Sequence, residues 1–242
     1  MIPTIDTTTP LGLVLALLPE TVLTLATLGV VLLISARHEG PEDSRRAGWM
    51  TLLSLGLTAV ALGWLAARSP DEPGLGSMVA LDNFRYLSSA LILLVSAGAV
   101  LASLGYLERE RLVAPEYYVL VLLAVIGMLF MANAQDLIVL FLGLETMSVA
   151  VYVLAGFNRG NAFSAEAALK YFLIGAFASG FLLYGIAPDL RRGGQHQPDP
   201  DRGAVFPGRP QHHGQARARL PDHRVRLQDR RRPIPHVGAR RL

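Results

Sequence analysis

The stretch that decides the fold is Leu137-Ile138-Val139-Leu140-Phe141-Leu142-Gly143-Leu144-Glu145-Thr146-Met147-Ser148-Val149-Ala150-Val151-Tyr152-Val153-Leu154-Ala155-Gly156, twenty residues with one charge, set near the middle. A helix needs about 20 apolar residues to cross a hydrocarbon layer ~30 Å thick, so this run reads as a membrane span. Only Asn133-Ala134-Gln135-Asp136 separates it from the preceding apolar run, Tyr117–Ala132. The two therefore form a tight helical hairpin, with Asp136 as an N-cap. Working outward gives four more spans: Ala165–Ala187 downstream, and Leu11–Ser35, Trp49–Ala67 and Phe84–Tyr106 upstream. Lipid offers the backbone no hydrogen-bond partners, so all six must be helices. The expected fold class is all-α, a polytopic membrane protein.

Composition agrees. Of 242 residues 52% are hydrophobic and 17% charged, with a mean hydropathy of +0.39, too apolar for a soluble domain. Cysteine is absent, which excludes a disulfide framework, a thiolate metal site and a cysteine nucleophile. The first span is no signal peptide, because its leader carries Asp6 without Lys or Arg and the apolar run is too long. The formal net charge of +3 averages two unlike bodies. Residues 1–187 hold nine basic and fourteen acidic residues, a net of −5. Residues 188–242 hold thirteen Arg against five Asp, a net of +8, with five of the six His and eight of the fifteen Pro.

Arginines sort by loop parity. Arg37, Arg45, Arg46, Arg109, Arg111 and Arg159 follow spans one, three and five, while the opposite side holds Arg68 and Arg85. The positive-inside rule then puts the N-terminus outside and the arginine-rich loops in the cytoplasm.

Two charges fall within spans. Glu145 sits mid-span in the fifth, and Lys170, the chain's one lysine, lies in the sixth within Ala167-Ala168-Leu169-Lys170-Tyr171-Phe172. A charge at mid-bilayer costs at least ~2.5–3.5 kcal/mol, so such residues are rare, paired and functional by default. Consecutive antiparallel spans let the two face each other. Counted from Gly156 and Ala165, their axial offset is roughly 9 Å at ~1.5 Å per residue, which long side chains and a water can close. The functional reading is a titratable pair on a proton path; the alternative is a static salt bridge joining two helices. Glu20, after Pro19, reads as an interfacial carboxylate, and Glu116 and Glu166 as solvated span-end residues. Gly175, Ala176, Ser179 and Gly180 make a small-residue face suited to helix packing. Residues 1–187 contain no glycine-rich phosphate loop, metal-spaced His or Glu cluster, or hydrolase triad.

Three segments carry a family resemblance: Glu116-Tyr117-Tyr118-Val119-Leu120 through Gly127-Met128-Leu129-Phe130-Met131-Ala132, then Asp136 to Glu145 with Tyr152 to Phe157, and Ala165-Glu166-Ala167-Ala168-Leu169-Lys170-Tyr171-Phe172-Leu173-Ile174-Gly175-Ala176. Together with Leu17-Leu18-Pro19-Glu20, they resemble subunit N of NADH–quinone oxidoreductase, the respiratory complex I. The match is dense over 116–187, looser over 1–115, and ends at Ala187. It implies a fourteen-helix antiporter-like fold with two inverted five-helix repeats, of which six transmembrane helices are present here. It also implies proton translocation coupled to electron transfer from NADH to quinone. Glu145 matches the family's helix-five glutamate and Lys170 its helix-six lysine. The resemblance implies no cofactor bound by this chain, NADH and quinone being used by the whole complex. Its implied partners are the other membrane subunits and the lipid bilayer, with no nucleic acid, in the bacterial plasma (inner) membrane. The alternatives from the same Glu–Lys pattern are a cation/proton antiporter or membrane hydrogenase subunit; from another class, a non-pumping membrane scaffold.

After Ala187 the chain continues Pro188-Asp189-Leu190-Arg191-Arg192-Gly193-Gly194 where the family stays apolar. Back-translated and shifted by one base, Leu227–His236 permits Phe-Lys-Ile-Ala-Ala-Val-Pro-Phe-His-Met, the string the family carries on its seventh helix. Residues 188–242 thus read as an out-of-frame tail without stable fold, and residues 1–187 as the transmembrane region.

Overall fold

The computed structural model describes residues 14–36, 41–68, 81–110 and 115–192. They form six helices: α1 Leu18–Ser35, α2 Pro41–Arg68, α3 Asn83–Arg109, α4 Glu116–Asn133, α5 Leu137–Ala155 and α6 Ala162–Arg192. Each is long and apolar enough to cross a membrane; α2 to α6 cover their predicted spans to within a residue, while α1 begins at Leu18, seven residues into the predicted Leu11–Ser35.

Helix ends follow local chemistry. Asp136 caps α5 as expected, its Oδ1 accepting from the Ile138 N–H at 3.0 Å with the residue itself extended (φ −102°, ψ 141°). Asp82 does the same for α3, accepting from the Arg85 N–H at 2.9 Å. α6 starts three residues before its predicted first residue, because Asn161 Oδ1 accepts from the Phe163 N–H at 3.0 Å. α2 begins at Pro41, whose missing N–H is harmless in a first turn. At its other end α6 runs past the predicted boundary at Ala187, through Pro188 to Arg192. Those first tail residues are helical rather than irregular; residues 193–242, the rest of the predicted out-of-frame tail, lie outside the described residues.

α4 is the central helix: it packs against α1, α2, α3 and α5, while α6 leans on α5. The core is apolar but interleaved with small hydroxyl residues. On α3 the buried face carries Tyr86, Leu93, Val100 and Leu107 interleaved with Ser89, Ser96 and Ser103. On α2 it carries Ala47, Thr51, Ser54, Thr58 and Leu65, and on α1 Glu20, Leu23, Thr27 and Val30. Each set repeats every seven residues in steps of three and four, the seam of a left-handed supercoil. Small hydroxyl residues let these helices approach closely. Several hydroxyls are satisfied locally, Thr51 donating to the Ala47 carbonyl at 2.9 Å, Thr58 to Ser54 at 2.8 Å and Thr27 to Leu23 at 2.7 Å, whereas the buried Ser89 Oγ has no partner among the described residues. Leu87, Leu91 and Leu94 of α3 point outward instead, toward the side that lipid or other helices fill.

The α4–α5 hairpin closes on two glycines. A Cβ on Gly127 would lie 2.6 Å from the Gly143 carbonyl oxygen, and one on Gly143 2.9 Å from the Gly127 carbonyl oxygen. Backbone meets backbone there, and no side chain fits between.

Candidate functional site

Glu145 is the ninth residue of α5, midway along an apolar helix. Its Oε1 is buried and has no hydrogen-bond partner among the described residues. A buried oxygen left unsatisfied costs ~1–3 kcal/mol, or more when charged; Ser89 Oγ and Asn133 Oδ1 are the same in this respect.

The structure does not bring Lys170 to it. The Lys170 ammonium donates to Glu166 Oε1, one turn earlier on the same helix, with side chains 67% and 57% exposed. Helix register explains the separation. A Cβ on Gly156 would meet the Ala168 methyl at 2.8 Å, so Gly156 is level with Ala168 rather than with Ala165. Tyr152 then stacks edge-on against Tyr171 (4.9 Å between centroids) and Phe172 (5.8 Å), with its hydroxyl end in the notch that Gly175 leaves. In that register Glu145 and Lys170 are roughly nine residues apart along the axis, about 14 Å. The axial offset is thus larger than the roughly 9 Å expected from the sequence, because α6 starts earlier and sits in a different register against α5. Glu166, predicted to be solvated, is exposed but serves as the partner of Lys170. Within the small-residue face, Gly175 does pack against α5, whereas a Cβ on Gly180 would meet nothing within 4 Å.

A second polar cluster surrounds Glu20, which lies at a helix start as an interfacial residue would but is buried against other helices. Glu20 is 1% exposed and Arg85 is fully buried. Arg85 Nη2 donates to both Glu20 oxygens at 3.0 Å and to the Ala16 carbonyl at 2.9 Å. Asn133 Nδ2 donates to Glu20 Oε1 at 2.7 Å. One carboxylate thus ties the start of α1, the start of α3 and the end of α4. A signal was present in the sequence: α1 and α3 run parallel, and Glu20 and Arg85 are each the third residue of their helix, at matching depth with opposite charge.

Among the described residues no group of three His, Cys, Asp or Glu could hold a metal.

Six apolar helices and a mid-helix glutamate with one buried carboxyl oxygen define the class: a polytopic helical membrane protein, whose residues 134–195 match the family described as NADH:quinone oxidoreductase/Mrp antiporter, TM. Within that class the chain is similar to NADH-quinone oxidoreductase subunit N. It is 41% identical over 170 residues to that of Paramagnetospirillum magneticum, covering 70% of this chain and 34% of the relative. It is 47% identical over 154 residues to that of Gemmatimonas aurantiaca, covering 62% and 28%. NADH-ubiquinone oxidoreductase chain 2 of Marchantia polymorpha is 40% identical over 176 residues, covering 71% and 36%. A chain of respiratory complex I from Thermus thermophilus with bound Aureothin superposes with a TM-score of 0.55 at 32% identity, covering 70% of this chain and 35% of that one. The chain spans about a third of the length of these relatives.

Proposed function

We propose that this chain is the opening part of a proton-translocating membrane subunit of an NADH–quinone oxidoreductase, working among the complex's other membrane subunits. The observation that carries the reading is Glu145: a buried, unsatisfied carboxyl oxygen halfway along an apolar helix inside the matched segment. A membrane protein retains such a group where a proton must be held and passed on. Lys170, with Glu166 beside it, is the second proton-handling residue, toward the start of α6. At about 14 Å, transfer between Lys170 and Glu145 runs through intervening water rather than a direct contact. The chain binds no cofactor in this reading, and NADH and quinone are handled by other subunits. It resides in the bacterial plasma membrane with its N-terminus outside, as the arginine distribution favours.

The relatives favour this over a cation/proton antiporter or hydrogenase subunit, since those aligned are NADH–quinone oxidoreductase chains. Residues 188–242 arise from a one-base shift near codon 188, and resequencing codons 185–190 tests that directly.

The functional test uses the frame-corrected, full-length protein in its complex. Glu145→Gln keeps the shape and removes the charge; it should lower proton pumping well beyond any loss of assembled complex, and Glu145→Asp should retain much of it. Normal assembly with an unchanged ratio of protons to electrons in Glu145→Gln would leave the scaffold reading in its place.

A further inference from the structure

We propose that Glu20, Arg85 and Asn133 are positioning residues that tether the α4–α5 hairpin and so fix the depth at which α5 carries Glu145; this rests on the proton-handling role of Glu145 argued above.

Three observations converge. The Glu20 bonds to Arg85 and Asn133 both leave α1, joining it to two helices remote in sequence. Both are charge-assisted, the stronger kind of hydrogen bond, and all three residues are buried. Asn133 is the last residue of α4, and only Ala134, Gln135 and Asp136 intervene before α5 begins. Ala134 is extended (ψ 127°), so the connection has little slack, and Ala134 itself is 6% exposed. Farther along, Gly127 and Gly143 hold the two helices backbone to backbone. The hairpin is thus fastened at its turn by Glu20 and along its length by the glycines. One residue of slip would move Glu145 by about 1.5 Å and rotate it by about 100°, taking its buried oxygen off its present side.

The cluster is a tie rather than a relay. A carboxylate accepting from a guanidinium through both oxygens, and from an amide besides, is held in one place. Removing Asn133's amide leaves the ion pair intact and cuts the link to the hairpin alone, which makes Asn133→Leu the informative change.

The chain has no cysteine, so a single introduced thiol reports cleanly. With Ala134→Cys in membranes, an impermeant maleimide added on the hairpin side should label slowly. Adding Asn133→Leu should raise the rate roughly tenfold or more, the factor set by losing one charge-assisted hydrogen bond. Gln135→Cys, already exposed, should label at the same rate in both backgrounds. If Asn133→Leu fails to insert, the Glu20→Leu/Arg85→Leu variant cuts the same link without stranding a charge, and should raise Ala134→Cys labelling likewise. An unchanged rate overturns the tether. The positioning role has its own readout in the full-length complex. Asn133→Leu, at normal assembly, should shift the pH profile of quinone-linked turnover, and that shift should vanish when Glu145→Gln is also present. An equal shift in both backgrounds overturns positioning. Labelling does not depend on pumping, so failure of the proton reading would leave the tether result standing.

Discussion

Lys170 on α6 pairs with Glu166 one turn earlier on its own helix, and not with Glu145 on the neighbouring helix. An i, i+4 pair on a single helix joins no two helices, so it is a weak fastening for the fold. Its significance is where it parks the ammonium, near the start of α6 and about 14 Å along the axis from Glu145.

Glu166→Gln should therefore leave stability almost unchanged, within ~1 kcal/mol. Thermal unfolding of the chain in nanodiscs checks this. A larger loss would mean that Glu166 has a packing role beyond its ion pair.

The Glu20–Arg85 tie should behave in the opposite way. Arg85→Leu strands a buried carboxylate and should cost ~3–5 kcal/mol, whereas Glu20→Leu/Arg85→Leu should recover most of that. Steady-state levels and unfolding midpoints of the two variants, measured side by side, decide it. Equal damage in both would mean that the charges themselves are needed.

Two glycines should respond differently to the same methyl group. Gly127→Ala drives a Cβ into the Gly143 carbonyl and Met147 N, which are backbone and cannot yield, and should cost ~1–3 kcal/mol. Gly180→Ala meets open space and should be neutral, or stabilising by up to ~1 kcal/mol through helix propensity. Denaturant unfolding of both variants against the parent checks the ordering.

Topology is open to the same thiol chemistry. With the N-terminus outside, Gln135→Cys should label with an impermeant reagent in intact cells, and Arg45→Cys should label only after lysis. The reverse pattern would invert the membrane orientation.

The sequence by itself determined the number of helices, their class and their order. Runs such as Tyr117–Ala132 and Leu137–Gly156 can do nothing else in lipid, and Asp136 announced its own cap. It also singled out Glu145 and Lys170, because charge in an apolar run is conspicuous. It could not say which face of each helix is buried. When a whole helix is apolar the usual amphipathic signal disappears, and here leucines lie on both sides: Leu93 and Leu107 of α3 are buried beside Ser89 and Ser96, while Leu87 and Leu91 point outward. Partners between helices were hidden for a related reason: they depend on register, and register is set by close-packed details. Gly156 settling level with Ala168, and Tyr152 seating in the notch of Gly175, moved Lys170 away from Glu145. The burial of Glu20 beside Arg85 and Asn133 depended on three helices that only the tertiary structure could bring to one point.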